Sequence, residues 1–241
     1  ETETSNQLIL KIDLTKSSKK LMDQKYDFDG WSSRWDEDRI GFHVAKPNPF
    51  LLQYWHHLHE IKPKRCLVPL CGKSLDLVWL SEKVETVIGV ELVEKAVLDF
   101  FREQQISPDI QKNSPFNAYS HQGLKILQGN FFDLNLEVED SFQAVFDRAS
   151  LVAIPEELRP DYVHGLTDLM GAGSRLLLIC VDYDPSKMSG PPYSVSQNEV
   201  ENLFSKKGTL EVLETRNNLE DRMRERGLDW LNETVYLFEK N

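Results

Sequence analysis

Arg65-Cys66-Leu67-Val68-Pro69-Leu70-Cys71-Gly72-Lys73-Ser74 and, further on, Glu85-Thr86-Val87-Ile88-Gly89-Val90-Glu91 decide the fold. The first stretch is a short apolar run bounded by Pro63 and Gly72. Ser74 can cap a helix that continues through Leu75, Leu77, Val78 and Leu80, with Asp76 in the first turn, where the helix dipole favours an acid. The second stretch is β-branched and strand-like. A strand, a turn, a helix and a second strand make one βαβ unit. Working outward, the alternation continues. Residues 92–105 carry Val93, Val97, Phe100 and Phe101 at helical spacing, and the runs 124–127 and 142–146 read as strands. A helix is predicted over 156–170, after Pro155. The continuous apolar run 175–181 suits a buried central strand. Residues 199–204 read as a helix, and 209–215 and 234–238 as two closing strands. Only the heavily charged residues 217–232 lie between those two, so they pair antiparallel at the sheet edge. Residues 107–122 hold two prolines and no clear period, and are expected to be a loop or insertion. The fold class expected is α/β, doubly wound, with a mostly parallel sheet and helices on both faces.

Composition narrows the function. The chain has 241 residues, the length of one large domain or two small ones, and enough for an apolar core. Its formal charge of −11 disfavours nucleic acid and anionic membranes as partners, since both select clustered cations. No apolar run approaches the roughly 20 residues that a membrane helix needs. Cys66, Cys71 and Cys180 are sparse and lack C-x-x-C spacing, which points to a reducing, cytoplasmic location. Residues 1–25 are mostly polar; Leu8, Leu10, Ile12 and Leu14 alternate, which hints at a short strand, but residues 1–27 are expected to be a loosely held extension. Residues 28–241 are expected to form one domain. With no coiled-coil pattern, a monomer is expected.

In an open α/β sheet, ligands sit beyond the carboxyl ends of the strands, at the switch point. Glu91 ends the second strand about 20 residues after the first turn, where a nucleotide-binding unit places an acid on the ribose hydroxyls. A carboxylate can accept both hydrogen bonds of a vicinal diol; an acid opening the next helix is the simpler alternative. Gly72-Lys73-Ser74 resembles the end of a phosphate loop, but Leu67 stands where that loop needs its first glycine. A G-x-G-x-x-G turn is also absent. A nucleoside without phosphates therefore fits better than ATP or NAD, and S-adenosylmethionine is the common one.

Trp31-x-x-x-Trp35, Ile40-Gly41-Phe42-His43, the Val68–Ser74 turn, Gly89-Val90-Glu91, Phe132-Asp133-Leu134, Asp147-Arg148-Ala149, Tyr183-Asp184-Pro185 with Gly190-Pro191-Pro192, and Arg226-Gly227-Leu228 occur in order. With this spacing the set resembles the thiopurine S-methyltransferase family from about residue 28 to the end of the chain. The resemblance implies a Rossmann-like Class I S-adenosylmethionine-dependent methyltransferase, with a seven-stranded, mostly parallel sheet and an antiparallel edge strand. It implies donor contacts at Trp31, Trp35, Leu70, Glu91, Asn130, Phe131 and Arg148, and an acceptor contact at Phe42. Arg148 and Arg222 would act on the acceptor. Each residue also has a plainer meaning. Trp31 and Trp35 can form one apolar helix face, Phe131 can be core, and Arg148 can pair with Asp147. Leu70 would act through its backbone. His56, His57 and His59 lack H-E-x-x-H spacing, so no metal is expected. Cys71 reads as a packing residue, since methyl transfer from a sulfonium requires no covalent enzyme intermediate.

The resemblance implies methyl transfer to an aromatic or heterocyclic thiol such as a thiopurine, leaving S-adenosylhomocysteine. Two alternatives remain at this stage. One is a methyltransferase of the same fold acting on selenium or tellurium species, halide or small thiols. The other is a non-catalytic module that binds S-adenosylmethionine.

Overall fold

The apolar runs pair into one sheet. The computed structural model describes residues 28–241; the extension expected over 1–27 lies outside the described residues. The strands are β1 (Arg65–Val68), β2 (Thr86–Glu91), β3 (Asp109–Lys112), β4 (Asn117–His121), β5 (Leu124–Gln128), β6 (Phe142–Arg148), β7 (Met170–Asp182), β8 (Gly208–Asn217) and β9 (Asn232–Lys240). Among the described residues the order is β3-β4-β5-β2-β1-β6-β7-β9-β8. β5, β2, β1, β6 and β7 run parallel. β9 lies antiparallel to both β7 and β8. The parallel centre and the antiparallel closing pair follow the sequence expectation, but the sheet has nine strands among the described residues where seven were expected, because an antiparallel hairpin extends the other edge too. Residues 107–122 do not: they form the hairpin β3–β4, which adds to the edge of β5. β3 is exposed along its length and Tyr119 is the buried side chain of β4, so no apolar alternation marks either strand.

The chain divides into two units, residues 1–39 and 40–241. In the first, helix α1 (Phe28–Asp36) ends in a turn closed by the Arg39 N–H on Arg34 O at 2.8 Å. The second unit holds the sheet with α2 (Pro49–His59), α3 (Asp76–Ser81), α4 (Glu94–Glu103), α5 (Arg159–Asp168), α6 (Gln197–Phe204) and α7 (Asp221–Glu225). Pro49 opens α2 and the Asn48 side chain accepts the Phe50 N–H at 2.9 Å, a strong helix start. α3 begins at Asp76 with Leu75 at its cap position. Ser74 instead accepts the Asp76 N–H at 3.2 Å and donates to the Asp76 carboxylate at 2.7 Å, forming a turn that closes on the first residue of the helix.

Strand alternation separates the two faces. Cys66, Val68, Val87, Ile126, Phe146, Leu177 and Ile179 pack with Leu51, Trp55, Leu58, Leu77, Leu80 and Phe100 from α2, α3 and α4. On the opposite face, Phe204 of α6 lies 4.9 Å from the Phe238 ring of β9, and Tyr162 of α5 bonds to Asp147 of β6. The chain passes from β1 out to β2 and later returns to β6 on the other side of β1. The switch point is therefore the crevice beyond the carboxyl ends of β1 and β6.

Candidate active site

The turn after β1 is tied down at three points. Ser150 Oγ donates to Pro69 O at 2.7 Å. The Cys71 N–H donates to Val90 O at 2.9 Å, and the Gly72 N–H to Glu91 Oε2 at 2.8 Å. Between these ties Leu70 is held at φ +44 and Gly72 at φ +53. Positive φ is easy for glycine but strained for leucine, and strain of this kind persists where the surroundings over-determine it.

Glu91 is buried, 7% exposed. Its second oxygen accepts the Val93 N–H at 2.8 Å. Burial pushes the carboxyl up to about 7, against backbone donors that favour the anion. Gly72 and Val93 thus donate to different oxygens, Leu92 adds a further backbone donor, and the carboxylate, with about four acceptor sites, retains acceptor capacity. Asn130, half-buried after β5, uses its side-chain oxygen to accept the Phe132 N–H at 3.1 Å and opens the short helix Phe131–Asp133. The Phe131 ring is buried against Tyr162, with centroids 4.9 Å apart. The core meaning of its side chain holds, and a donor contact at this residue would fall to its backbone.

β6 ends in Asp147 and Arg148. Asp147 is wholly buried and does not pair with Arg148. Its carboxylate accepts the Ser150 N–H at 3.2 Å, the Leu151 N–H at 3.3 Å and the Tyr162 hydroxyl at 2.7 Å. Burial raises it to about 6. These bonds shape the turn that holds Ala149 at φ +66. Arg148 Nη1 donates to Phe42 O at 2.7 Å, and Arg222 Nη1 to Gly41 O at 2.5 Å. The two arginines named by the resemblance therefore meet at one short segment, the one that carries Phe42. Burial lowers the Arg148 guanidinium, while the charges of Asp76 and Glu233 support it. Asp76, read from sequence as a helix-dipole acid, is buried at 4% exposure and accepts the Asn48 N–H at 2.6 Å. Residues 41–48 are thus held by Arg222, Arg148 and Asp76.

A small apolar cluster, Tyr183, Met188, Met223, Leu228 and Leu231, joins the proline-rich loop to α7. Tyr183 is fixed by its hydroxyl on Pro192 O at 2.6 Å. Trp31 and Trp35 lie four residues apart on α1, with Arg34 over the Trp31 ring at 5.0 Å. The three cysteines are buried and unpaired, and burial drives Cys71 well above the usual thiol range, where it is a poor nucleophile. Among the described residues no group of three or more His, Cys, Asp or Glu is placed to hold a metal. No described helix is long and apolar enough to cross a membrane. Ser150 and Tyr162 escaped the sequence reading, and Asp76 was read only as a helix-dipole acid. Asp76 carried the only signal, a polar residue among apolar neighbours at a strand-to-helix turn.

Comparison with known proteins gives the family and the fold. Residues 26–241 match the family described as thiopurine S-methyltransferase. A thiopurine S-methyltransferase of Azotobacter vinelandii is 42% identical over 214 residues, covering 88% of this chain and 98% of its own. One from Pseudomonas fluorescens is 42% identical over 208 residues, covering 86% and 95%. Among solved structures, a SAM-dependent methyltransferase from Anabaena variabilis superposes with a TM-score of 0.60 at 13% identity, covering 89% of this chain and 95% of that one. The 1,6-didemethyltoxoflavin-N1-methyltransferase of Burkholderia thailandensis, bound to S-adenosylhomocysteine, gives 0.59 at 15% identity, covering 89% and 87%. These structural likenesses establish the Class I methyltransferase fold.

Proposed function

Since this chain belongs to the thiopurine S-methyltransferase family and is an S-adenosylmethionine-dependent S-methyltransferase, we propose that its acceptors are aromatic or heterocyclic thiols, thiopurines among them. Leu70, Glu91, Asn130, Phe131 and Arg148 hold the donor; Phe42, Arg148 and Arg222 face the acceptor. The observation that carries this reading is the buried Glu91 carboxylate. It is fixed by Gly72 and Val93 at the end of β2 and keeps acceptor capacity. Two hydroxyls of a ribose would satisfy it, so the residues fit S-adenosylmethionine. The donor role of Trp31 and Trp35 rests on the family resemblance alone.

When bound, S-adenosylmethionine supplies a methyl group already activated by its sulfonium centre. The chain's own residues then have three tasks. Glu91 and the Leu70 turn fix the position of the nucleoside, which sets the line of attack. Arg148 places a guanidinium beside the acceptor and favours its thiolate; of the five donors in the fork, the bond to Phe42 uses one. Phe42 and the apolar cluster at the proline-rich loop exclude water, which favours a transition state in which opposite charges merge. An aryl thiol ionises near neutral pH, so no strong base is needed. Asp147 is not available as one, because its carboxylate is committed to Ser150, Leu151 and Tyr162.

We also read the protein as a cytoplasmic monomer. Three buried, unpaired thiols suit a reducing compartment.

Calorimetric titration with S-adenosylmethionine, S-adenosylhomocysteine and NAD tests the donor site. Both sulfur ligands should bind and NAD should not. Glu91→Ala should weaken S-adenosylhomocysteine by about tenfold or more, from the loss of charge-assisted hydrogen bonds; unchanged affinity would remove Glu91 from the ribose. Product analysis with an aryl thiol, selenite and halide then identifies the acceptor class. Tight donor binding with no turnover on any of them would favour a binding module.

A further inference from the structure

The turn that carries Arg148 also reaches into the donor's turn. Ser150 is wholly buried, and its hydroxyl spans the switch-point crevice to Pro69 O at 2.7 Å. Pro69 immediately precedes Leu70, whose φ of +44 is strained for a branched side chain. A carbonyl fixed on Pro69 sets the plane of the Pro69–Leu70 peptide, and so the direction in which the Leu70 backbone faces. The other ties on this turn, Cys71 to Val90 and Gly72 to Glu91, act on the far side of Leu70 and belong to β2. Ser150 is the tie from the β6 side. Its own backbone is held by Asp147, which also accepts the Tyr162 hydroxyl, and the Tyr162 ring packs on Phe131. One four-residue turn thus contacts the acceptor's arginine, the donor's first turn and the support of Phe131.

We propose that Ser150 is a positioning residue for methyl transfer: its hydroxyl holds the Pro69–Leu70 turn in register with Arg148, so that donor and acceptor are presented in line. This rests on the donor site proposed above. Ser150 touches neither reactant. Its effect is expected in donor affinity and in kcat, with little change in acceptor KM.

Ser150→Ala removes the hydroxyl and leaves Pro69 O buried. The S-adenosylhomocysteine Kd should rise about tenfold, as expected when a buried hydrogen-bond partner is lost. kcat should fall by a similar factor, with acceptor KM within twofold. Kd and kcat within twofold of wild type would overturn the proposal, even if Tm dropped, because the bond would then serve stability alone. If Ser150→Ala does not fold, Ser150→Cys keeps the volume with a weaker donor. It should show a several-fold rise in Kd, and an unchanged Kd there would be equally decisive against the role. Wild-type protein that fails to bind S-adenosylhomocysteine would overturn the donor site and this proposal together. Binding by wild type with no change in the variants overturns this proposal alone.

Discussion

Arg148 does two things with one guanidinium. It anchors Phe42 through the backbone carbonyl, and it presents a planar set of donors at the end of β6. Lysine would keep the charge but not the fork, because its ammonium is a strongly hydrated point charge on a flexible stem. Arg148→Lys should therefore raise acceptor KM about tenfold, one lost oriented hydrogen bond, with a smaller rise in the S-adenosylhomocysteine Kd. Steady-state kinetics with an aryl thiol, alongside donor titration, separates the two quantities. Equal activity of the lysine variant would mean that charge alone matters at this position. Residues of this kind were legible in the sequence, because chemistry in an open sheet gathers where strands end, and Glu91 and Arg148 both end strands. The tie that Asp76 makes and the role of Ser150 were not. Each acquires its role from a partner far along the chain, Asn48 for the first and Pro69 for the second.

At the scale of elements, β2 and the turn after β1 touch through the absence of a side chain. A Cβ on Gly89 would lie 2.6 Å from Cys71 Sγ and 3.3 Å from Leu77. Gly89→Ala must displace the turn or the strand, and overpacking of this kind costs about 1–3 kcal/mol. Denaturant unfolding should show that loss, and donor affinity should fall with it because Leu70 and Gly72 share the displaced turn. Cys71→Ala in the same chain removes the clashing sulfur and should recover most of both. If the double variant is no better than Gly89→Ala, the contact with Cys71 is not the cause. The sequence identified β7 as a central strand because both of its faces are apolar. It missed β3 and β4 for the converse reason. A hairpin added at a sheet edge is held by backbone pairing to β5, and the exposed side chains of β3 need no apolar pattern. Pro108 before β3 and Pro115 between the two strands spoke for a loop more loudly than Tyr119 spoke for a strand.

For the whole molecule, the buried acids give stability a slope with pH that runs against the usual one. Glu91 moves from an ordinary 4.5 to about 7 on folding, and Asp147 from 3.8 to about 6. Burial also raises Asp76 and Glu233. In each case the folded state binds more protons than the unfolded chain across that window, so stability falls as pH rises through it. The two larger shifts are each worth on the order of 3 kcal/mol once both groups are ionised. His57, lowered chiefly by burial, has the opposite sign, since its folded form resists protonation. The carboxylates that are lowered, Glu60 and Glu214 among them, act below their ordinary pKa and outside this window. The protein without ligand should therefore melt several degrees lower at pH 8 than at pH 6, taking about 2–4 °C per kcal/mol for a chain of this size. The donor reverses the balance. A ribose diol needs Glu91 as the anion, so S-adenosylhomocysteine should release a proton on binding near pH 6 and none at pH 8. Its Kd should be flat above about pH 8 and rise below pH 7, by up to about tenfold per unit. The stabilisation it confers at a fixed excess should be correspondingly larger at pH 8. Scanning calorimetry at both pH values, with and without ligand, measures both slopes. A ligand-induced rise in Tm that is equal at the two values would mean that Glu91 does not ionise on binding, and the ribose would have to be held elsewhere.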